Sequence, residues 1–238
     1  MKKNKRVFIL GASSDIGLSI MKVYKKNNFS ILAHYNTGNK NFFKFIKDNK
    51  IESIKFNFLK SNKKIELFLK SKRLKRNDIL INALGFITEK TFLETKVSDL
   101  EKIFKVNFYP SLILTQNLGL EMNKKKWGRI VNLGSIGVKF GGGINNFPYS
   151  ISKFLLEFFP NQTTNWVKNN VLINTVRVGA THTKLHLKLP SKNLKKRASL
   201  IPMKRFATTN EIAEFIFFLG SNQNTYISNQ VLSISGGE

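Results

Sequence analysis

Cysteine is absent from this chain of 238 residues, which excludes disulfides, thiolate metal sites and cysteine nucleophiles and suits a reducing compartment. Proline is scarce, five in all; with 15 glycines and 42% apolar residues the balance is that of a globular chain. Long hydrophobic runs are missing as well. No stretch approaches the roughly 20 apolar residues of a membrane helix. The basic start, Met1-Lys2-Lys3-Asn4-Lys5-Arg6, resembles the opening of a signal peptide, but Val7 to Leu10 is too short an apolar run to follow it. A water-soluble cytoplasmic protein is therefore expected. Acidic residues are few: 14 Asp and Glu face 40 Lys and Arg, a net charge of +26. The lysines are scattered over every segment, and the chain is equally heavy in Asn, Ile and Phe. That pattern reads as compositional bias rather than a nucleic-acid footprint, because no recognition motif accompanies it. Attraction of phosphorylated small molecules or acidic proteins remains a milder consequence.

What is present is an alternation of short apolar runs with helical patterns. Strands are expected at Arg6 to Leu10, Phe29 to Tyr35, Ile51 to Phe58, Asp78 to Asn82, Arg129 to Leu133, Val171 to Val176 and Gln230 to Ile234. Amphipathic helices fill the gaps, among them a long helical region from Val97 through Leu118 that passes Pro110. The length suits one domain over 1–238. Alternation of this kind predicts an α/β fold, a Rossmann-type doubly wound parallel sheet with helices on both faces.

Two stretches carry chemistry. Gly11-Ala12-Ser13-Ser14-Asp15-Ile16-Gly17 joins the first strand to the first helix. Gly11 supplies a tight turn and Gly17 allows close helix–strand approach, so backbone N–H groups around Ser13, Ser14 and Ile16 would face a pyrophosphate at the positive end of the helix. The other stretch is Tyr149-Ser150-Ile151-Ser152-Lys153, which follows Asn132-Leu133-Gly134-Ser135. On a helix, Tyr149 and Lys153 lie on one face. A nearby ammonium is expected to pull the phenol pKa down and make the tyrosine a useful acid or base.

Together these motifs resemble the classical short-chain dehydrogenase/reductase family, nearly end to end. Gly11 to Gly17 is similar to the family's glycine turn, and Asn82-Ala83-Leu84-Gly85 to the motif ending its fourth strand. Val106-Asn107 falls where the family keeps a structural and relay asparagine. Ser135 and the Tyr149 to Lys153 pair match its active site. Val178-Gly179 stands where Pro-Gly is usual, and Ser235-Gly236-Gly237 where the family has Asp-Gly-Gly. The resemblance implies an oxidoreductase passing a hydride between a nicotinamide and a carbonyl or secondary alcohol. Its catalytic groups would be Ser135, Tyr149, Lys153 and Asn107. The cofactor would be held by Gly11, Ser13, Ser14, Ile16, Gly17, Asn36, Asn57, Asn82, Ala83, Gly85, Tyr149, Lys153 and Thr183, with no metal. Asp15 replaces a glycine of the turn and is expected to face solvent.

Within that resemblance, the second strand ends Ala33-His34-Tyr35-Asn36-Thr37 without an acid, and Lys40 lies nearby. This favours NADP(H) over NAD(H), with His34, Asn36 and Thr37 as 2′-phosphate contacts. The segment 184–205 would be a lid over the substrate, basic through Lys184, Lys188, Lys192, Lys195, Lys196 and Arg197. Ile201-Pro202-Met203-Lys204-Arg205-Phe206 resembles the 3-oxoacyl-carrier-protein reductase branch, which would make the substrate a carrier-bound acyl group. Sugar, polyol and nucleotide-sugar reductases share the motifs. A non-catalytic binding or scaffold member and a basic nucleic-acid-binding protein are readings of another class. By analogy with the family a homo-oligomer, dimer or tetramer, is expected, and no membrane partner.

Overall fold

The computed structural model describes residues 5–184 and 193–238. Seven strands form one parallel sheet in the order β3-β2-β1-β4-β5-β6-β7. They are β1 Arg6–Leu10, β2 Ser30–Tyr35, β3 Glu52–Lys55, β4 Ile79–Asn82, β5 Gly128–Leu133, β6 Val171–Val178 and β7 Gln230–Ile234. The helices are α1 Asp15–Lys26, α2 Lys40–Asp48, α3 Asn62–Leu69, α4 Val97–Asn107, α5 Tyr109–Lys124, α6 Phe147–Phe154, α7 Asn161–Trp166, α8 Leu194–Leu200 and α9 Thr209–Leu219.

The central strands are apolar on both faces because both are covered. On one side Ile20, Met21 and Tyr24 of α1, Phe42 of α2 and Ile212, Ile216 and Phe217 of α9 pack on Val7, Ile9, Ile79, Ile81 and Val131. On the other, Ile65 and Leu69 of α3 join Leu114, Leu118 and Met122 of α5 over Phe8, Leu10, Leu80 and Ile130. Among the described residues no helix is long and apolar enough to cross a membrane.

Two elements differ from their sequence pattern. β3 stops at Lys55 rather than Phe58. There Asn57 Oδ1 accepts from the Leu59 N–H at 2.8 Å, and Phe56 and Phe58 turn their rings onto Phe68. The long helical region breaks at Phe108 into α4 and α5. Pro110 has no N–H to extend the first helix but suits the first turn of the second.

Register decides where the site falls. Leu10 lies beside Asn82, and Asn82 beside Asn132. Gly11 after β1, Ala83 after β4 and Leu133 at the end of β5 therefore stand side by side along the carboxyl edge.

Candidate active site

The turn after β1 is built from backbone at close quarters. Gly11 has φ +71°, and a Cβ there would sit 2.6 Å from the Ala83 carbonyl oxygen. At Gly17 a Cβ would meet the Gly11 carbonyl at 2.3 Å. Ser14 caps α1: its Oγ accepts from the Gly17 N–H at 3.0 Å and donates to the Gly11 carbonyl at 2.9 Å. Such a cap stabilises a helix by about 1 kcal/mol.

His34 sits beneath this turn, fully buried. The Gly11 N–H donates to its Nδ1 at 3.2 Å, so the proton is on Nε2, which donates to the Phe56 carbonyl at 3.0 Å. Burial against Phe58 and Phe68 holds its pKa down at about 4, so the ring is neutral. The expectation that His34 contacts a 2′-phosphate is thereby corrected. A strand residue facing inward is covered by α3 and cannot reach the crevice. Asn36 and Thr37, past the end of β2, are exposed, as is Lys40 at the start of α2.

At the end of β5, Ser135 begins a short 3-10 helix, its Oγ accepting from the Gly137 N–H at 3.2 Å. Opposite it, α6 presents Tyr149, whose phenol lies near the Ser135 side chain. Lys153, one turn on and 2% exposed, donates to the Leu84 carbonyl at 2.8 Å and the Leu133 carbonyl at 2.7 Å. Its Nζ lies 5.7 Å from the centre of the Tyr149 ring. The tertiary fold thus brings Ser135, Tyr149 and Lys153 together.

Their titration runs against one expectation. Burial pushes Tyr149 up to about 12, only partly offset by the nearby Ser135 hydroxyl. Burial also lowers Lys153 to about 7. With no carboxylate paired to it among the described residues, the ammonium is costly where it stands and turns to two carbonyls. Lys153 therefore does not bring the tyrosine below its ordinary value; at neutral pH the phenol is protonated.

Asn107 is buried at the end of α4 with its side chain fully spent. Oδ1 accepts from the Phe86 N–H at 2.8 Å, and Nδ2 donates to the Phe86 carbonyl at 2.9 Å and to Ser152 Oγ at 2.9 Å. Ser152 in turn donates to the Tyr149 carbonyl at 2.7 Å. This link between α4 and α6 escaped the sequence reading. Its one signal was a small hydroxyl residue beside Lys153.

Asp15 is also corrected. Instead of facing solvent, its Oδ2 accepts from the Lys184 N–H at 2.6 Å. Thr183, next to Lys184, is half-buried. Lys188 and Lys192 of the expected lid lie outside the described residues; Lys195 and Lys196 are exposed on α8, and Arg197 pairs with Glu238 at 2.6 Å. Among the described residues no cluster of side chains could hold a metal ion.

Comparison with known proteins agrees with this geometry. A family profile described as enoyl-(acyl carrier protein) reductase matches residues 11–238. A 3-oxoacyl-[acyl-carrier-protein] reductase from Aquifex aeolicus is 35% identical over 161 residues, 67% of this chain and 64% of that protein. The chain thus aligns with just under two thirds of that relative's length. The corresponding reductase of Buchnera aphidicola subsp. Baizongia pistaciae is 29% identical over 243 residues, 100% of this chain and 98% of the other. Among solved structures, ElxO with NADP bound superposes with a TM-score of 0.84 at 24% identity, covering 99% of this chain and 98% of that one. The structural match speaks to the fold. The profile and the sequence relatives carry the rest: the chain is an oxidoreductase of the short-chain dehydrogenase/reductase family, close to the 3-oxoacyl-[acyl-carrier-protein] reductases.

Proposed function

We propose that the chain is an NADP(H)-dependent reductase of carbonyl groups, acting on 3-oxoacyl thioesters borne by an acidic carrier protein. One observation carries the reading: the Tyr149 phenol lies near the Ser135 hydroxyl, with Lys153 Nζ 5.7 Å from the Tyr149 ring centre, at the carboxyl edge of the sheet. A phenol that is protonated at neutral pH can give its proton to a forming alkoxide.

A dinucleotide fits the residues along this edge. A Cβ built at Gly85 meets nothing within 4 Å, so the end of β4 leaves room for a ribose. Asn82 Nδ2 is buried without a partner among the described residues and would find one in the ligand. The glycine turn and the capped start of α1 would take the pyrophosphate, through Ser13, Ser14 and Ile16. Asn57 would lie by the adenine and Thr183 by the carboxamide. Asn36, Thr37 and Lys40, with no acid at the end of β2, suit a 2′-phosphate.

When bound, the nicotinamide supplies the hydride that the carbonyl carbon accepts. Tyr149 gives its proton to the carbonyl oxygen, and Ser135 donates a hydrogen bond to the same oxygen as charge builds there. Lys153 spends two of its N–H groups on Leu84 and Leu133, leaving a third for the ribose hydroxyls. The Asn107 side chain is committed to Phe86 and Ser152, so a water that resupplies the proton would sit on its main-chain carbonyl, at the break between α4 and α5. Exposed Lys195 and Lys196 on α8 would meet the acidic carrier. Exposed Val97, Phe154 and Phe158 on the α4 and α6 side suit burial in a homodimer or homotetramer, which light scattering would detect.

The test is a panel of acyl thioesters and keto sugars, followed by consumption of NADPH and of NADH. Fastest turnover is expected with a 3-oxoacyl thioester and NADPH. A keto sugar turning over faster would defeat the substrate reading, and a preference for NADH the cofactor reading.

A further inference from the structure

Asp15 stands where the family's turn has a glycine, at the first position of α1. An extra carboxylate beside a phosphate-binding turn opposes anion binding if it points inward. Here the carboxylate is engaged by the chain that follows β6. Its Oδ2 accepts from the Lys184 N–H at 2.6 Å, a charge-assisted bond joining residues 169 apart in sequence. Asp15 lies in the helix that follows β1 and Lys184 in the segment that follows β6, strands that β4 and β5 separate in the sheet. The bond therefore ties the element after β1 to the segment after β6.

The chain leaving β6 is fastened in stages. Gly179 donates to the Ile234 carbonyl at 2.9 Å, Ala207 to the Ala180 carbonyl at 2.9 Å, and His182 to the Ala207 carbonyl at 3.0 Å. All of these tie it toward β7 and the stretch before α9. The Asp15 bond then draws the next residues the opposite way, toward the phosphate turn.

We propose that Asp15 is a positioning residue that sets where Thr183 stands opposite the phosphate turn, and so tunes cofactor affinity through Thr183. The proposal rests on the reading of Thr183 as a cofactor contact. It also accounts for the tolerance of an acid at this place: a carboxylate engaged by a backbone N–H is held off the anion's path.

Asp15→Asn and Asp15→Ala carry the same charge, but only asparagine keeps an acceptor for the Lys184 N–H, so the pair isolates the bond from the charge. NADPH affinity, by fluorescence titration, is expected to be about five- to tenfold weaker in Asp15→Ala than in Asp15→Asn, the worth of one hydrogen bond to a placed group. Their melting temperatures should match, and hydrogen exchange at the Lys184 amide should be faster in the alanine variant. Thr183→Ala, added to each, should weaken binding in the asparagine background and much less in the alanine background, the non-additivity of coupled residues. Equal affinities of the two Asp15 variants, or an equal Thr183→Ala effect in both, would overturn the role of Asp15. A Thr183→Ala change without effect in the native chain would overturn the cofactor reading of Thr183 instead, and with it the route by which Asp15 acts.

Discussion

Two buried cations stand at opposite ends of the β5 region, and among the described residues neither is paired with a carboxylate. Arg129, at the amino end of the strand, is 1% exposed; Lys153, below the carboxyl end, is 2% exposed. The guanidinium is held on every side. It donates to the carbonyls of Gly128, Asn170, Ser221 and Asn224 and to Asn170 Oδ1, at 2.7 to 3.2 Å. It also stacks on Trp127 with its carbon 4.6 Å from the ring centre. Burial lowers its pKa only to about 10, so it stays charged at neutral pH. The ammonium of Lys153 has two carbonyl partners and a pKa near 7. The same physical problem, a cation away from water, thus has two outcomes. A planar fork with five donors can be fully bonded and becomes a rigid plug between loops. A point charge with a donor to spare remains titratable and free to act on whatever enters above it.

The sharpest way to break this comparison is to remove each charge and keep the bulk. Lys153→Met is expected to lower kcat for reduction by about 10³, or about 4 kcal/mol in the barrier, while melting temperature holds or rises because a costly buried charge is gone. Steady-state rates beside a thermal melt check this, and a rate within tenfold of the native value would remove Lys153 from the chemistry. Arg129→Met should do the reverse. It takes the Arg129 donors from the carbonyls of buried Gly128, Ser221 and Asn224 and loses about 3 kcal/mol of stability, while kcat of the folded fraction stays within twofold. Denaturant unfolding with active-site titration reads both; unchanged stability would show that the plug is not needed.

The smallest effect is in pH. An amine whose folded pKa lies below its unfolded value binds fewer protons when folded, so stability rises with pH from about 7 toward the unfolded value near 10.5. For Lys153 this amounts to about 1 kcal/mol between pH 7 and pH 8. Lys153→Met should lack that increment when the two proteins are unfolded in denaturant at both pH values. Identical pH slopes would mean that the lysine is charged throughout.

Much of this molecule was legible before folding. Seven strands fell close to their expected places, because each is a short apolar run bounded by turn residues. The glycine turn, Ser135, Tyr149 and Lys153 stood out because their residue types and spacings resemble a known family's motifs, and the fold brings the last three together. Other features were misread. His34 looked available from its place near the end of a strand, but the inward face of β2 is covered by Phe58 and Phe68. Asp15 looked solvent-facing because its partner lies 169 residues on. Ser152 was passed over because its link to Asn107 joins two helices.

Sequence by itself determined the α/β alternation, the parallel sheet and the identity of the groups at its carboxyl edge, since periodicity and residue type are local properties. Only the tertiary structure decided that Tyr149 is raised and not lowered, that Lys153 titrates near neutrality and that Asp15 faces Lys184. The strength of a charge and the partner of a carboxylate depend on what surrounds them in space, and packing brings those neighbours from distant parts of the chain.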